Sequence, residues 1–277
     1  MVEIVLSSYN GKRFIDQQIE SIAGQTHGDF LLTVRDDGSS DDTVQRIEAW
    51  RERLGDRMRI LPSEGNVGVV RSFEILLTQS VGDYVMMCDQ DDVWLPRKVE
   101  LTLDKMREEE KANPGKAVAV FTSVNLVDGD LKPKGMTFFE QNHFDFPFAG
   151  SFYNICVCNC VAGCTMMLNR KALDVALPFA SDVPAHDWWI AARVAYEGVL
   201  SVLMTPTMLY RLHGNNVCGA AVMEEGHYRK LMRSPLAVWR KYAEVRRFLR
   251  DVGFRWGFAG WLFFKLRHVA HRKLHTR

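Results

Sequence analysis

The sequence lacks several features that would assign it at once to a familiar class of protein. No apolar run reaches the roughly 18–20 residues that a membrane-spanning helix needs. The first residues carry no basic segment followed by an apolar core and a cleavage site, so we predict no signal peptide. Neither Gly-x-Gly-x-x-Gly nor Gly-x-x-x-x-Gly-Lys-Ser/Thr is present, which disfavours a dinucleotide-binding fold and a P-loop.

The cysteines also lack the spacing of a structural zinc site. There are six of them, and the cluster at 156, 158, 160 and 164 contains no Cys-x-x-Cys pair. Without a secretory signal, such cysteines are expected to be reduced thiols in the cytoplasm. We therefore predict buried structural thiols here, with a metal site as the alternative.

The charge of the chain is distributed unevenly along its 277 residues. Its net charge is +1, but residues 228–277 carry 14 Lys/Arg and 2 Asp/Glu, a balance of +12. Residues 1–227 therefore carry 21 basic and 32 acidic residues, a balance of −11. This contrast predicts a catalytic or binding domain over residues 1–226 and a separate basic extension over 227–277. The 47% hydrophobic content is ordinary for a soluble globular protein.

Buried-strand patterns alternate with amphipathic helical patterns through the first ninety residues. Strand-like runs occur at 3–8, 30–34 and 84–88, and Ile15, Ile19 and Ile22 mark a helix after the first of them. This alternation predicts an α/β fold with a mostly parallel sheet flanked by helices. Residues 129–160 show weak periodicity, and we predict loops there.

Polar side chains follow three of the predicted parallel strands. They lie at 7–10, 36–39 and 89–92, and the last segment is an Asp-x-Asp directly after an apolar strand. Ligands of open α/β sheets bind outside the carboxyl ends of the strands, which favours a nucleotide site at this edge. Clustered carboxylates need a compensating cation, and Mg²⁺ or Mn²⁺ is usually held by carboxylates and substrate phosphates. The alternative is a solvated acidic turn before the helix that begins near Pro96.

Seven segments together resemble the GT-A glycosyltransferases of family 2 in order and spacing, over about residues 2–217. They are residues 5–11, 36–41, 65–68, 89–94, 163–167, 186–189 and 210–216. The variants Asp-Gln-Asp-Asp-Val-Trp and His-Asp-Trp-Trp are most similar to the rhamnosyltransferase-like members. The resemblance implies a GT-A fold and an inverting, divalent-metal-dependent transfer of a sugar from a nucleoside-diphosphate donor.

The resemblance also implies roles for individual residues. Asp187 matches the catalytic base, Asp91 and His213 match the ligands of Mn²⁺ or Mg²⁺, and Trp188 and Trp189 would face the acceptor. The residues implied for nucleotide and donor binding are Ser7, Tyr9, Asp37, Asn66, Arg71, Asp89 and Arg211.

Several of these residues have ordinary structural alternatives. Asp187 could be a helix N-cap, His213 a structural histidine, and Arg71 a solvated helix residue. We expect one of Trp188 and Trp189 to lie in the core and the other to form a sugar-stacking wall.

The basic extension is rich in aromatic residues, which is typical of helices that lie on anionic membrane surfaces. The alternative is packing on the catalytic domain or on a second protomer in a homo-oligomer. We expect no nucleic-acid partner.

We therefore predict a cytoplasmic enzyme, peripheral at the inner face of the cell membrane. It would transfer rhamnose from a deoxythymidine-diphosphate donor to a polysaccharide or lipid-linked glycan. The alternatives are another hexose from a UDP-sugar, or a catalytically silent nucleotide-sugar-binding subunit.

Overall fold

A computed structural model describes residues 1–146, 148–213 and 234–274. The strands in this part of the chain are β1 (Val2–Ser8), β2 (Phe30–Asp36), β3 (Met58–Ile60), β4 (Tyr84–Cys88), β5 (Val93–Trp94), β6 (Val118–Val127), β7 (Pro133–Thr137), β8 (Met166–Asn169) and β9 (Val199–Arg211). The helices are α1 (Ile15–Ala23), α2 (Thr43–Leu54), α3 (Val69–Thr78), α4 (Lys98–Ala112), α5 (Phe138–Asn142), α6 (Phe152–Val157), α7 (Arg170–Ala176), α8 (His186–Glu197), α9 (Pro235–Asp251) and α10 (Gly257–Leu274).

The strands form one mixed sheet in the order β3-β2-β1-β4-β8-β6-β9-β5, with β7 paired to β6. The first four strands are parallel to one another, as the alternation of strands and helices predicts. β8 runs antiparallel to both β4 and β6, and β6 pairs in parallel with β9. The carboxyl ends of β1, β2 and β4 therefore lie along one edge of the sheet.

Helices cover both faces of the sheet because each presents an apolar stripe to it. On one face, Ile15, Ile19 and Ile22 of α1 are buried together with side chains of α2 and α4. On the other face, α3, α6, α7 and α8 enclose a second core, which includes Phe73 and Trp189. The spacing of the isoleucines along α1 is what the sequence predicts for an amphipathic helix.

The two C-terminal helices belong to the second core. Phe248 of α9 and Trp261 and Phe264 of α10 are buried with residues of α6 and α8. The boundary predicted at 226/227 lies outside the described residues. None of the helices in the described ranges is both long enough and apolar enough to cross a membrane.

Residues 129–160 differ from the sequence prediction, because this segment contains β7, α5 and α6. A capping box between Thr137 and Glu140 begins α5, which buries Phe139 against Phe121 of β6. These elements are five or six residues long. They are too short to show a period in the sequence.

Candidate active site

The three polar segments meet at the carboxyl edge of the parallel strands. The register pairs Ser8 of β1 with Asp36 of β2, and Leu6 of β1 with Cys88 at the end of β4. Gln90 joins two of the segments, since its carboxamide accepts the Tyr9 backbone N–H and donates to the Tyr9 carbonyl, both at 2.9 Å. The sequence gives no signal for this contact, because Gln90 is the variable residue of the Asp-x-Asp pattern.

Asp91 and His213 are in direct contact. The Asp91 Oδ2 and His213 Nε2 atoms are 2.8 Å apart, although the residues come from separate loops after β4 and β9. Phe14 stacks on the imidazole with ring centroids 5.0 Å apart. A carboxylate oxygen beside an imidazole nitrogen is a donor set that suits Mn²⁺, and both side chains keep some solvent exposure. The residues present therefore fit the predicted divalent cation.

More carboxylates lie beside this pair. Among the described residues, Asp89, Asp92 and Cys164 bring their potential ligand atoms within 4.8 Å of one another. Burial, together with the charges of Asp91 and Asp187, raises the pKa of Asp89 to about 7. Burial, with Asp91 and Asp89 nearby, also raises the pKa of Asp92 well above its ordinary value. The pKa of the Cys164 thiol is raised by burial too, so at neutral pH this side chain is a neutral thiol.

The other cysteines of the predicted cluster are buried as well. Cys156 and Cys160 lie in the second core, Cys158 is buried beside them in the sequence, and each of the three is a free thiol. Their prediction as buried structural thiols is confirmed.

Asp187 lies in the first turn of α8 and faces the same acidic site. Its carboxylate accepts the Asn159 amide at 3.1 Å and the Gly163 backbone N–H at 3.2 Å. The N-cap of α8 is Ala185, so Asp187 does not have the capping role that the sequence leaves open. Asn159 is a functional candidate that sequence reasoning misses, since it lies 28 positions from Asp187.

The two tryptophans of the predicted acceptor site have different environments. Trp189 is 5% exposed, and its indole N–H donates to the Ala176 carbonyl at 2.7 Å. Its ring lies in the core, as expected from the sequence for one of the two tryptophans, and so it does not form a sugar-stacking wall. Trp188 is half-buried, donates to the Ile155 carbonyl at 2.6 Å and packs on Phe248.

Asp37, one of the residues predicted for nucleotide binding, organises the loop at 65–68. Its buried carboxylate accepts the Arg35 guanidinium at 2.6 Å and the backbone N–H groups of Val67 and Gly68 at 2.9 Å each. Asn66 is exposed on this loop. Arg35 is a second contributor that the sequence analysis does not single out.

The remaining predicted donor residues lie around the same edge. The hydroxyls of Ser7 and Ser72 are 2.7 Å apart, and Tyr9 is exposed. Arg71 is exposed on α3 and forms an ion pair with Glu74.

Arg211, one of the residues predicted for donor binding, holds the loop that carries Asp91. Its buried guanidinium donates to the Asp91 carbonyl at 2.7 Å, the Gly129 carbonyl at 2.8 Å and Gln17 Oε1 at 2.7 Å. These contacts hold the Asp91 loop and the Gly129 segment around the guanidinium, and a direct contact of Arg211 with the donor stays a prediction. Gly214, Asn215 and Asn216 of the same motif lie outside the described residues.

Comparison with known sequences assigns this chain to a family. Residues 3–176 match the sequence model described as Glycosyl transferase family 2. The chain is similar to the dTDP-rhamnosyl transferase RfbG of Shigella flexneri, with 28% identity over 82% of this chain and 78% of the relative. It is also similar to the UDP-Glc:alpha-D-GlcNAc-diphosphoundecaprenol beta-1,3-glucosyltransferase WfgD of Escherichia coli, with 25% identity over 73% of each chain.

Solved structures show the same fold. TarS 1-349 of S. aureus, solved in complex with UDP-GlcNAc, has a TM-score of 0.61 and 16% identity over 98% of this chain and 72% of the TarS chain. The mannosyltransferase PcManGT of Pyrobaculum calidifontis, solved with GDP-Man and Mn²⁺, has a TM-score of 0.57 and 14% identity over 99% of this chain and 86% of that chain. The predicted GT-A fold is confirmed.

Proposed function

This chain belongs to glycosyl transferase family 2 and is a glycosyltransferase, and we propose that it moves rhamnose from dTDP-rhamnose with inversion. The acceptor would be a polysaccharide or a lipid-linked glycan. The observation that carries the proposal is the convergence of Asp89, Asp91, His213 and Asp187 at one edge of the sheet. The choice of rhamnose is supported by the similarity to RfbG of Shigella flexneri.

In this proposal Asp187 is the general base that takes the proton from the acceptor hydroxyl. Hydrogen bonds from Asn159 and the Gly163 backbone fix the direction of its carboxylate. A positioned base of this kind contributes about 10²–10⁴-fold to the rate of such a transfer.

Asp91 and His213 would hold Mn²⁺ or Mg²⁺, which supplies positive charge to the departing diphosphate when it is bound. Arg211 keeps the Asp91 loop in position. Asp37 holds the loop at 65–68, where the nucleoside base would lie, and Asp89 would accept hydroxyl groups of the ribose or the donor sugar.

We also propose that the enzyme acts at the inner face of the cytoplasmic membrane, where a lipid-linked acceptor would be presented. The support is the balance of +12 over residues 228–277, which complements anionic lipids.

A second candidate is the same reaction with another hexose from a UDP-sugar. It is favoured by the similarity to WfgD, a UDP-Glc glucosyltransferase by name, and by the fold shared with TarS, which was solved with UDP-GlcNAc. A nucleotide-sugar-binding subunit without activity is the third candidate, and the presence of both Asp187 and the Asp91–His213 pair argues against it.

The test is donor hydrolysis and transfer with dTDP-rhamnose and UDP-glucose, each with and without Mn²⁺. We expect Mn²⁺-dependent turnover of dTDP-rhamnose. Transfer should be lowered by about 10²–10⁴-fold in Asp187→Asn and retained in Asp42→Asn, which changes an exposed carboxylate before α2. Preferred turnover of the UDP-sugar would favour the second candidate. Binding of both donors without turnover would favour the inactive subunit.

A further inference from the structure

Helix α10 has an apolar face that the rest of the described chain leaves uncovered. This outer face consists of Trp256, just before the helix, and Ala259, Phe263, Leu266 and Ala270. The spacing of three and four residues places them on one side of an α-helix. Trp256 is 61% exposed and Phe263 is 60% exposed, which is unusual for large apolar side chains on one continuous stripe.

The opposite face of α10 is fixed in the second core. Trp261, Phe264 and His268 are buried there, and the Tyr153 ring stacks on Phe264 with centroids 4.5 Å apart. The Lys265 ammonium donates to the Val157 carbonyl at 2.6 Å. The helix is therefore apolar on both sides, and packing on the domain explains only the inner one.

The charged residues of α9 and α10 are mostly basic. Residues 257–274 contain no Asp or Glu, and residues 234–274 contain ten Lys/Arg and two Asp/Glu. Both acidic side chains, Glu244 and Asp251, lie on α9, where they pair with Lys241 and Arg250. Arg267 is exposed beside the apolar stripe. An apolar stripe flanked by basic residues is complementary to anionic lipid headgroups above an acyl interior.

We propose that the outer face of α10 inserts into an anionic lipid surface and is the docking site of this enzyme on its membrane. The inference rests on the proposed function in one respect, since a lipid-linked acceptor would give the docking a purpose. A second copy of the chain is a poorer occupant. Joining two outer faces would bring the Arg267 side chains of two helices together, with no carboxylate on either helix to compensate.

The test is co-sedimentation of the full chain with vesicles, without any donor. One set is an equal mixture of phosphatidylglycerol and phosphatidylcholine, and the other is phosphatidylcholine alone. Phe263→Gln removes the central side chain of the outer face, and Met204→Gln, at a residue that is 56% exposed on β9, is the matched control. Deletion of the extension would be a poor test, because it would uncover the core that α9 and α10 close.

We expect the parent and Met204→Gln to bind the anionic vesicles, and Phe263→Gln to bind them at least about tenfold more weakly. Equal binding of Phe263→Gln and the parent would overturn the proposal. A parent that binds neither vesicle would overturn it as well. If such a parent were a dimer that Phe263→Gln dissociates, the outer face would be a self-association surface. Donor hydrolysis without vesicles is measured separately in all three proteins, so that a wrong choice of donor is not mistaken for failure of the docking site.

Discussion

Two buried carboxylates, near opposite ends of neighbouring strands, differ in how many hydrogen bonds they accept. Glu3, near the amino end of β1, accepts the Thr33 hydroxyl at 2.6 Å, the Arg59 guanidinium at 2.8 Å and two backbone N–H groups at 81 and 82. Asp92, beyond the carboxyl end of β4, accepts the Arg211 backbone N–H at 3.0 Å. Its second oxygen is buried beside the Cys164 thiol without a hydrogen bond of normal geometry to any described residue.

The pKa values of the two groups move in opposite directions for this reason. Burial alone would raise the pKa of Glu3, but the hydrogen bonds from Thr33, the backbone and Arg59 outweigh it, and the pKa is lowered. Burial and two neighbouring carboxylates raise the pKa of Asp92. The amino edge of the sheet therefore balances its charge within the protein. At the carboxyl edge the protein does not fully compensate the charged forms of Asp89 and Asp92, so a bound cation would favour their ionisation, which is characteristic of a binding site.

The largest effect should come from removing the base at the carboxyl edge. We expect Asp187→Asn to lower the transfer rate by about 10²–10⁴-fold while the protein folds and binds its donor normally. Steady-state rates and a donor titration measure the two quantities separately. Transfer within a few-fold of the parent would mean that the base is another residue.

At the amino edge the corresponding change should affect stability and leave activity intact. We expect Glu3→Gln to lower the free energy of unfolding by about 3 kcal/mol, since it removes a buried charge from a complete set of donors. Denaturant unfolding measures the loss. Glu20→Gln, at an exposed position of α1, is the control and should change stability by less than about 0.5 kcal/mol. A similarly small loss in Glu3→Gln would remove the distinction between the two edges.

The lowered pKa of Glu3 also predicts how stability depends on pH. Because the pKa is lower in the folded state, the stabilisation is present above the ordinary value of 4.5 and is lost as the pH falls through the folded-state value. We expect the parent to lose more stability than Glu3→Gln on acidification below about pH 5. Unfolding curves at a series of pH values test this, and parallel pH profiles of the two proteins would contradict it.

The contacts that shape the carboxyl edge divide into those that the sequence predicts and those that it does not. The edge itself is predictable, because an apolar strand followed by polar residues recurs at 7–10, 36–39 and 89–92. The support of Asp91 by Arg211, and of Asp187 by Asn159, joins segments that are far apart in the sequence. A local sequence pattern does not indicate contacts between residues so far apart in the chain.

The burial of Trp189 is hidden from the sequence for a related reason. Two adjacent tryptophans at the start of an amphipathic helix differ by about 100° in direction. Periodicity alone does not show which of them the sheet covers. The packing of α9 and α10 into the second core depends on contacts with residues that are distant in the sequence. The composition of the extension does not indicate these contacts.

The smallest expected effect concerns the excess negative charge itself. Asp91→Asn removes a charge that raises the pKa values of Asp89 and Asp92. We therefore expect the metal-free variant to be about 0.5–1 kcal/mol more stable than the parent, although its contact with His213 is weakened. Mn²⁺ at 100 times its dissociation constant should stabilise the parent by about 2.7 kcal/mol, which is measured as a rise in melting temperature. It should have little effect on the melting temperature of the variant. Asp42→Asn should respond to Mn²⁺ as the parent does. The opposite result would be an Asp91→Asn variant that is less stable than the parent without metal and is still stabilised by Mn²⁺. The charges of the carboxyl edge would then be balanced without a cation. Burial alone would have to explain why the pKa values of Glu3 and Asp92 shift in opposite directions.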